Sequence, residues 1–413
     1  MRIAIIAFDT RGGVQPYVAL SLGLQEAGHD VTMITTAGFS DLVTGHGVRL
    51  AATTGDTEAA VREMGGAADL SARDRNRFMR EQMRTTISRT TAEVLGAAQG
   101  AELVMAGIGG SLTGRPVAEK LGVPYVEAHL QPLGPPTAAF PGPLLPQVPH
   151  WSGGTGRRLS HRITAMSLHL MFGSSTRPIR AELGLPIRPA SSGYSPLAVY
   201  GFSPHVVPQP PEWGTRRKVT GYWTLPAAPG WTPPAALVDF ITAGPPPVCI
   251  GFGSMSSRDP QQFGDLVLRA VRRARVRAVL LSGWGGLTHE GGDDVFVATE
   301  APHDWLYPQM AAVVHHGGAG TTGAAFSAGV PTVIVPFAVD QPFWASRVTA
   351  LGVGPSPIPR KRLTDQKLGD ALRVATTDNA MRRRAADLGA QIRAEHGVLT
   401  AVQHLEHHLT GGT

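Results

Sequence analysis

The sequence predicts an α/β protein made of two doubly wound, Rossmann-like domains, each a parallel sheet with helices on both faces. Three observations carry that expectation. Short apolar runs alternate with longer amphipathic ones along most of the chain, which is the pattern of repeated βα units. A glycine-rich turn, His315 to Gly323, leads one such apolar run directly into a helical one. With 413 residues, 42% hydrophobic and 16% charged, the chain is long enough to bury two separate cores.

Taken in order, Arg2 to Phe8 reads as a buried strand and Asp9 to Gln15 as its loop. Pro16 opens a helix that reaches Ala27, and Gly28-His29 ends it before the strand Val31 to Thr35. Further strands are expected at Ala101 to Ala106 and Val123 to His129, with a helix from Arg115 to Leu121 between them. Ligands in open α/β sheets sit beyond the carboxyl ends of strands, so Gly107 to Ser111 and His129 to Gln131 should line one crevice with the first loop. Pro132 to Gly156 is rich in proline, glycine and apolar residues, and a loop of that length is usually functional. Proline density peaks between Ser203 and Pro234. Residues 1–205 are therefore expected to form the first domain, 206–235 a linker, 236–395 the second domain and 396–413 a terminal helix.

In the second domain the strand Pro247 to Phe252 leads through Gly253 to Ser257 into a helix from Pro260, and strands follow at Ala278 to Ser282, Val295 to Ala298 and Ala311 to Val314. The last of these turns through His316 to Gly320 into a helix whose first N–H groups have no intrahelical acceptor, which is an anion site. Adjacent glycines let a phosphate approach, Thr321 and Thr322 offer hydroxyls, and His315 adds a donor, so the chemistry suits a diphosphate. An ordinary αβ turn carries the same glycines, and both readings stand at this point. Beyond the strand Val330 to Phe337 lie Asp340 and Gln341. A carboxylate beside a carboxamide suits vicinal sugar hydroxyls, the amide both donating and accepting. Asp340 is equally placed to cap a helix before Pro342. The helices Thr364 to Thr376 and Asn379 to Glu395 and the amphipathic segment Val398 to Glu406 close the chain.

Together, His315-His-Gly-Gly-Ala-Gly-Thr-Thr322 and the downstream Asp340-Gln-Pro342 closely resemble the nucleotide-sugar signature of family 1 glycosyltransferases, the antibiotic-type and sterol glucosyltransferase members being nearest. The resemblance extends over nearly the whole chain and implies the GT-B fold, two Rossmann-like domains facing across a cleft, with the terminal helix packed back on the first domain. It implies an inverting transfer of a hexose from a UDP- or dTDP-sugar co-substrate to an apolar natural product, with no cofactor. A sterol or lipid acceptor is the alternative. The sequence beside the diphosphate loop has no Asp-x-Asp or His/Asp cluster, so metal independence is expected. On this resemblance Arg11, Ser254, Trp284, His303, His315, Gly317, Gly318, Ala319, Gly320, Thr321, Asp340 and Gln341 serve the donor, and Gly12, Gly13, Gln131 and Phe140 serve the acceptor.

One position departs from that family. Relatives usually carry Asp where Thr10-Arg-Gly-Gly-Val-Gln-Pro16 has Gly13, and that Asp is the proposed base for the acceptor hydroxyl. Glycine cannot take a proton. Asp9 could act from four residues upstream, His129 from the neighbouring strand end, or the acceptor could be acidic enough to need no base. His129 is equally a satisfied histidine at a strand end, and Gly13 also admits a protein that binds a nucleotide sugar or aglycone without turnover.

Composition narrows the classes further. No apolar run approaches the roughly 20 residues that span a bilayer, so stable membrane insertion is not expected. The N-terminus reads as a strand without a secretion signal, and a cytoplasmic location is expected. A lone cysteine, Cys249, excludes an intramolecular disulfide. The net charge of +6 comes with scattered arginine clusters, Arg272-Arg273 and Arg382 to Arg384, without interleaved aromatics, which fits solvated helix faces and not nucleic acid. A monomer or homodimer is expected.

Overall fold

The computed structural model describes residues 1–55, 89–187, 193–228, 230–253, 260–282 and 292–409. The chain forms two compact units, one from Met1–Pro204, Pro208–Leu225 and His396–Thr413, the other from His205–Val207 and Pro226–Glu395.

The first unit holds a seven-stranded sheet of β1 (Arg2–Ile6), β2 (Asp30–Thr36), β3 (Arg49–Thr53), β4 (Leu103–Ala106), β5 (Tyr125–His129), β6 (Ala198–Tyr200) and β7 (Arg217–Val219), in the order β3-β2-β1-β4-β5-β6-β7. All pairings are parallel. Strand order reverses between β1 and β4, which makes the ground beyond their carboxyl ends the topological switch point. Ile3 to Ile6 and Leu103 to Ala106 are buried without alternation, as central parallel strands covered on both faces must be.

Helix α1 (Arg11–Glu26) begins five residues before Pro16, where the sequence reading begins it, so Gly12 and Gly13 lie in its first turn and not in a loop. The Gly13 and Val14 N–H groups both donate to the Thr10 carbonyl, at 2.9 and 3.0 Å, and close that turn ahead of the proline. Pro16 then removes only the partner of the Gly12 carbonyl. A short helix α2 (Ser40–Thr44) precedes β3. Helix α3 (Ile108–Leu121) likewise starts seven residues earlier than expected. Gly109 and Gly110 lie so close to the carbonyls of Phe8 and Ile6 that a Cβ at either would overlap them; close approach, not helix propensity, selects glycine there.

The 30-residue helix α4 (Gly153–Glu182) has no counterpart in the sequence reading. Gly153, Gly154, Gly156 and Gly173 lower its helix propensity, and Pro178 falls inside it. The proline-rich stretch 206–235 is not a plain spacer, since Pro208–Leu225 belongs to the first unit and β7 within it is a strand of the first sheet, while His205–Val207 and the chain from Pro226 belong to the second.

In the second unit, β8 (Val248–Gly251), β9 (Ala278–Leu281), β10 (Val295–Ala298), β11 (Ala312–His315) and β12 (Thr332–Ile334) form a parallel sheet in the order β10-β9-β8-β11-β12. Its helices are α5 (Ala235–Thr242), α6 (Pro260–Ala274), α7 (His303–Leu306), α8 (Ala319–Ala328), α9 (Gln341–Leu351), α10 (Asp365–Thr377) and α11 (Asn379–Arg393). Val248, Ile250, Ala312 and Val314 pack with Leu368 and Leu372 of α10, while Cys249, Val279 and Val313 pack with Leu237, Leu306 and Tyr307. The period of two along each strand thus separates two cores on opposite faces. Trp305 packs, partly buried, against the second of them. The chain ends in α12 (Gly397–Leu409), whose Ala401, Val402 and Leu405 are buried in the first unit.

Candidate functional site

The glycine-rich turn follows β11 in the second unit. His315 ends that strand fully buried, and the Gly317 N–H donates to its Nδ1 at 3.0 Å. That bond places the ring proton on Nε2. Desolvation, then the neighbouring His316 and His303, hold His315 well below the usual histidine range, so it is a neutral donor. Its Nε2 is buried without a protein partner. His316 is pushed down to about 4 by burial.

Gly317 has φ of 92°, and a Cβ there would stand 2.7 Å from Ile334 Cγ2, so glycine is required on both counts. Gly318 is the N-cap of α8, and its carbonyl accepts both the N–H and the hydroxyl of Thr322, at 2.9 and 2.8 Å. The N–H groups of Ala319, Gly320 and Thr321 precede that first bond, so no intrahelical acceptor serves them. A positive helix end beside a neutral buried N–H donor is suited to a phosphate. Gly253, after β8, approaches the His316 ring, so the ends of β8 and β11 meet at the switch point of this sheet. His303 opens α7 and stacks on Tyr307 with ring centroids 4.3 Å apart. Ser254 and Trp284 lie outside the described residues.

Beyond β12, Val339 has φ of +58°, a strained conformation for a β-branched residue, immediately before Asp340. Asp340 occupies the N-cap position of α9, yet its side chain does not cap that helix. Its Oδ2 instead accepts from Trp344 Nε1 at 2.9 Å. Gln341 Oε1 accepts from the N–H groups of Phe337 and Ala338, at 2.7 and 3.1 Å. This corrects the expectation that the amide both donates and accepts toward a sugar. Its oxygen is committed to the loop, and its NH2 is what remains for a ligand.

In the first unit, Asp9 follows β1 at the switch point and is half-buried. Its Oδ1 accepts from the Thr10 N–H at 2.6 Å and the Thr10 hydroxyl at 3.3 Å. Desolvation raises the Asp9 carboxyl above its usual value, against the pull of those bonds. Gly13 is buried one turn on, and a Cβ there would overlap the Asp9 carboxylate. The carboxylate therefore stands in the space from which a side chain at position 13 would project. Tyr17, further along α1, donates to the Ala128 carbonyl at 2.6 Å, and burial, with the Asp9 charge second, raises its phenol. Arg11 and Gly12 form the exposed start of the helix.

The remaining acceptor-side candidates disperse. His129 ends β5 buried, with Nε2 3.6 Å from Glu127 Oε2 and its ring against Tyr200. Desolvation works to raise the Glu127 carboxyl, but the adjacent His129, the Ser195 N–H and Arg115 outweigh it and hold the carboxyl below the usual range. His129 is thus a member of a buried pair, which corrects its candidacy as an accessible base. Phe140 is buried edge-on against Trp213, which itself stacks on Tyr200 at 4.3 Å. It is core of the proline-rich loop and not a pocket wall. Gln131 is half-buried. Sequence reasoning missed Glu127, although the strand period of two puts it on the face of His129. It also missed Tyr17, whose contact with Ala128 spans more than a hundred residues and leaves no local signal.

Residues 3–134 match the glycosyltransferase family 28 N-terminal domain, and residues 279–407 match the erythromycin biosynthesis protein CIII-like C-terminal domain. A sterol 3-beta-glucosyltransferase of Arabidopsis thaliana is 35% identical, the match covering 99% of this chain and 66% of that protein. A second from the same plant is 34% identical, covering 99% and 68%. The chain spans about two thirds of the length of these relatives. Among solved structures, the glycosyltransferase SsfS6 of Streptomyces sp. SF2575, complexed with thymidine diphosphate, superposes with a TM-score of 0.63 at 23% identity over 98% of this chain and 99% of that one.

Proposed function

This chain belongs to the family 1 glycosyltransferases of GT-B fold, and on that premise we propose that it moves a hexose from a nucleoside diphosphate sugar to the hydroxyl of an apolar acceptor, a sterol first among them. The observation that carries the donor half is the neutral His315 with its buried, unpartnered Nε2 beside the open start of α8. Charge develops on the diphosphate as its bond to the anomeric carbon breaks. Helix N–H groups and a fixed N–H donor offset that charge without reorganising. The sterol acceptor is supported by the names of the relatives matched along nearly the whole chain.

The acceptor half rests on Asp9. Its carboxylate takes the proton from the acceptor hydroxyl while that oxygen attacks the anomeric carbon on the face opposite the leaving diphosphate, and the configuration inverts. The overlap between Asp9 and a side chain at position 13 supports a base that has changed its place in sequence more than in space. That weighs against the alternative of a protein that binds without turnover. The deciding assay supplies UDP-glucose or dTDP-glucose with detergent-dispersed sterols and, separately, with phenolic aglycones. A sterol β-glucoside formed from the α-linked donor is expected. Transfer to phenols alone would replace the sterol reading with a natural-product one, and donor binding without any product would restore the binding-only reading.

A further inference from the structure

Helix α4 is amphipathic the wrong way round for a soluble surface. Along its first half the side it buries is polar, Ser160, His161 and Thr164 being 4%, 3% and 3% exposed, and among the described residues only near its end does it bury an apolar one, Ile179. Ser160 Oγ accepts from the Gly142 N–H at 2.8 Å, and His161 Nε2 donates to the Phe140 carbonyl at 3.0 Å, so this face clips the proline-rich loop to the helix. The side it exposes is apolar: Leu159, Ile163, Met166 and Leu170 are 54%, 42%, 59% and 74% exposed. Their spacing, i, i+4, i+7 and i+11, aligns them in one stripe along the helix. Trp151, 89% exposed, stands in the turn that enters the helix. Single exposed apolar residues are ordinary, but a continuous stripe marks a surface that meets something.

The charges around the stripe say what. From Gly153 to Ala181 the helix carries five arginines and no acidic residue. Arg180 is spent on a buried pair with Glu119, and Arg158 pairs with Glu212, but Arg162 and Arg177 are exposed beside the stripe. Two copies packed stripe to stripe would set arginines against arginines, with only Glu182 at the far end of each helix, beyond the stripe, to offset them. An aliphatic stripe, a flanking tryptophan and a cationic rim match the plane between the headgroups and acyl chains of an anionic bilayer. Among the described residues no helix is long and apolar enough to cross a membrane, so the contact is along the surface.

We propose that α4, with Trp151 at its entrance, docks the first unit flat on an anionic lipid surface. This does not depend on the reaction assigned above, because binding is read without donor or acceptor. The full chain is floated with vesicles of phosphatidylcholine alone and of phosphatidylcholine with phosphatidylglycerol, at low and high salt. It should float with the anionic vesicles, less so at high salt, and the blue shift of its tryptophan emission on binding should shrink in Trp151→Ala. Leu159→Gln with Leu170→Gln, and separately Arg162→Glu, should each weaken vesicle binding about tenfold or more while leaving the unfolding midpoint unchanged, since all three residues are exposed. Flotation of the paired leucine variant at the wild-type level would overturn the proposal. So would a wild-type chain that ignores anionic vesicles, or one that forms a dimer in sedimentation that the same variant abolishes.

Discussion

At position 13 an absent side chain and the carboxylate of Asp9, four residues earlier, describe one piece of space. Asp9 fills the volume that a residue-13 side chain would need, so the two cannot both be present without displacement. Asp9→Asn should lower kcat/KM by about 10²–10⁴, the usual worth of a positioned base, with donor binding unchanged. Gly13→Asp alone should also be impaired, because the new side chain collides with Asp9. The exchange variant Asp9→Gly with Gly13→Asp should recover much of the rate that either single change loses. Because burial raises the Asp9 carboxyl, its basic form fills only above that raised value. The rate should climb with pH along one ionisation displaced above the ordinary carboxylate range and then level off. A wild-type rate in Asp9→Asn would remove Asp9 from the reaction.

The loop between β12 and α9 shows how an element shapes what its residues can do. Two consecutive N–H groups, those of Phe337 and Ala338, converge on Gln341 Oε1, and strain at Val339 lies between them and Asp340. Gln341→Met keeps the length of the side chain and removes that acceptor, leaving two loop donors unpaired at a cost of about 1–3 kcal/mol each. The variant should therefore lose stability in a denaturant titration as well as transfer activity. Loss of activity with unchanged stability would mean that Gln341 acts on the sugar and not on the loop. Helix α8 has the opposite logic, since its start is left open by the sequence Gly317-Gly318-Ala319-Gly320, which supplies no side-chain cap.

At the scale of the whole molecule, the chain closes its first unit with its last helix. Gly23 on α1 has no room for a Cβ beside Val398, at the start of α12. Gly23→Ala should cost about 1–3 kcal/mol through overpacking, and Val398→Ala in the same chain should relieve part of it, a coupling that a double-mutant cycle of unfolding free energies reads directly. The second unit carries an acid liability. His315 and His316 are both buried neutral, the second with its value pushed down to about 4, while the unfolded chain takes up protons near 6.5. Their depressed values mean that stability is complete above 6.5 and falls as pH drops toward 4, by about 1.4 kcal/mol per pH unit for each ring. Unfolding midpoints measured across that window should fall, and His316→Gln should flatten the descent.

The sequence by itself determined the repeated βα units and the glycine turn with its open helix start, because apolar period and glycine placement act over a few neighbouring residues. Helix starts at Arg11 and Ile108 escaped it, since Gly13 answers to the Asp9 side chain and Gly109 and Gly110 to the backbones of Phe8 and Ile6, and not to helix propensity. Only the tertiary structure decided that Asp9 fills the space beside Gly13, that Gln341 spends its oxygen on a loop, and that His129 and Phe140 are packed among Tyr200 and Trp213 from far along the chain. It also decided which face of α4 meets solvent, which the bare stripe could not tell. Each of these is a question of what occupies neighbouring volume, and residues distant in sequence supply that volume.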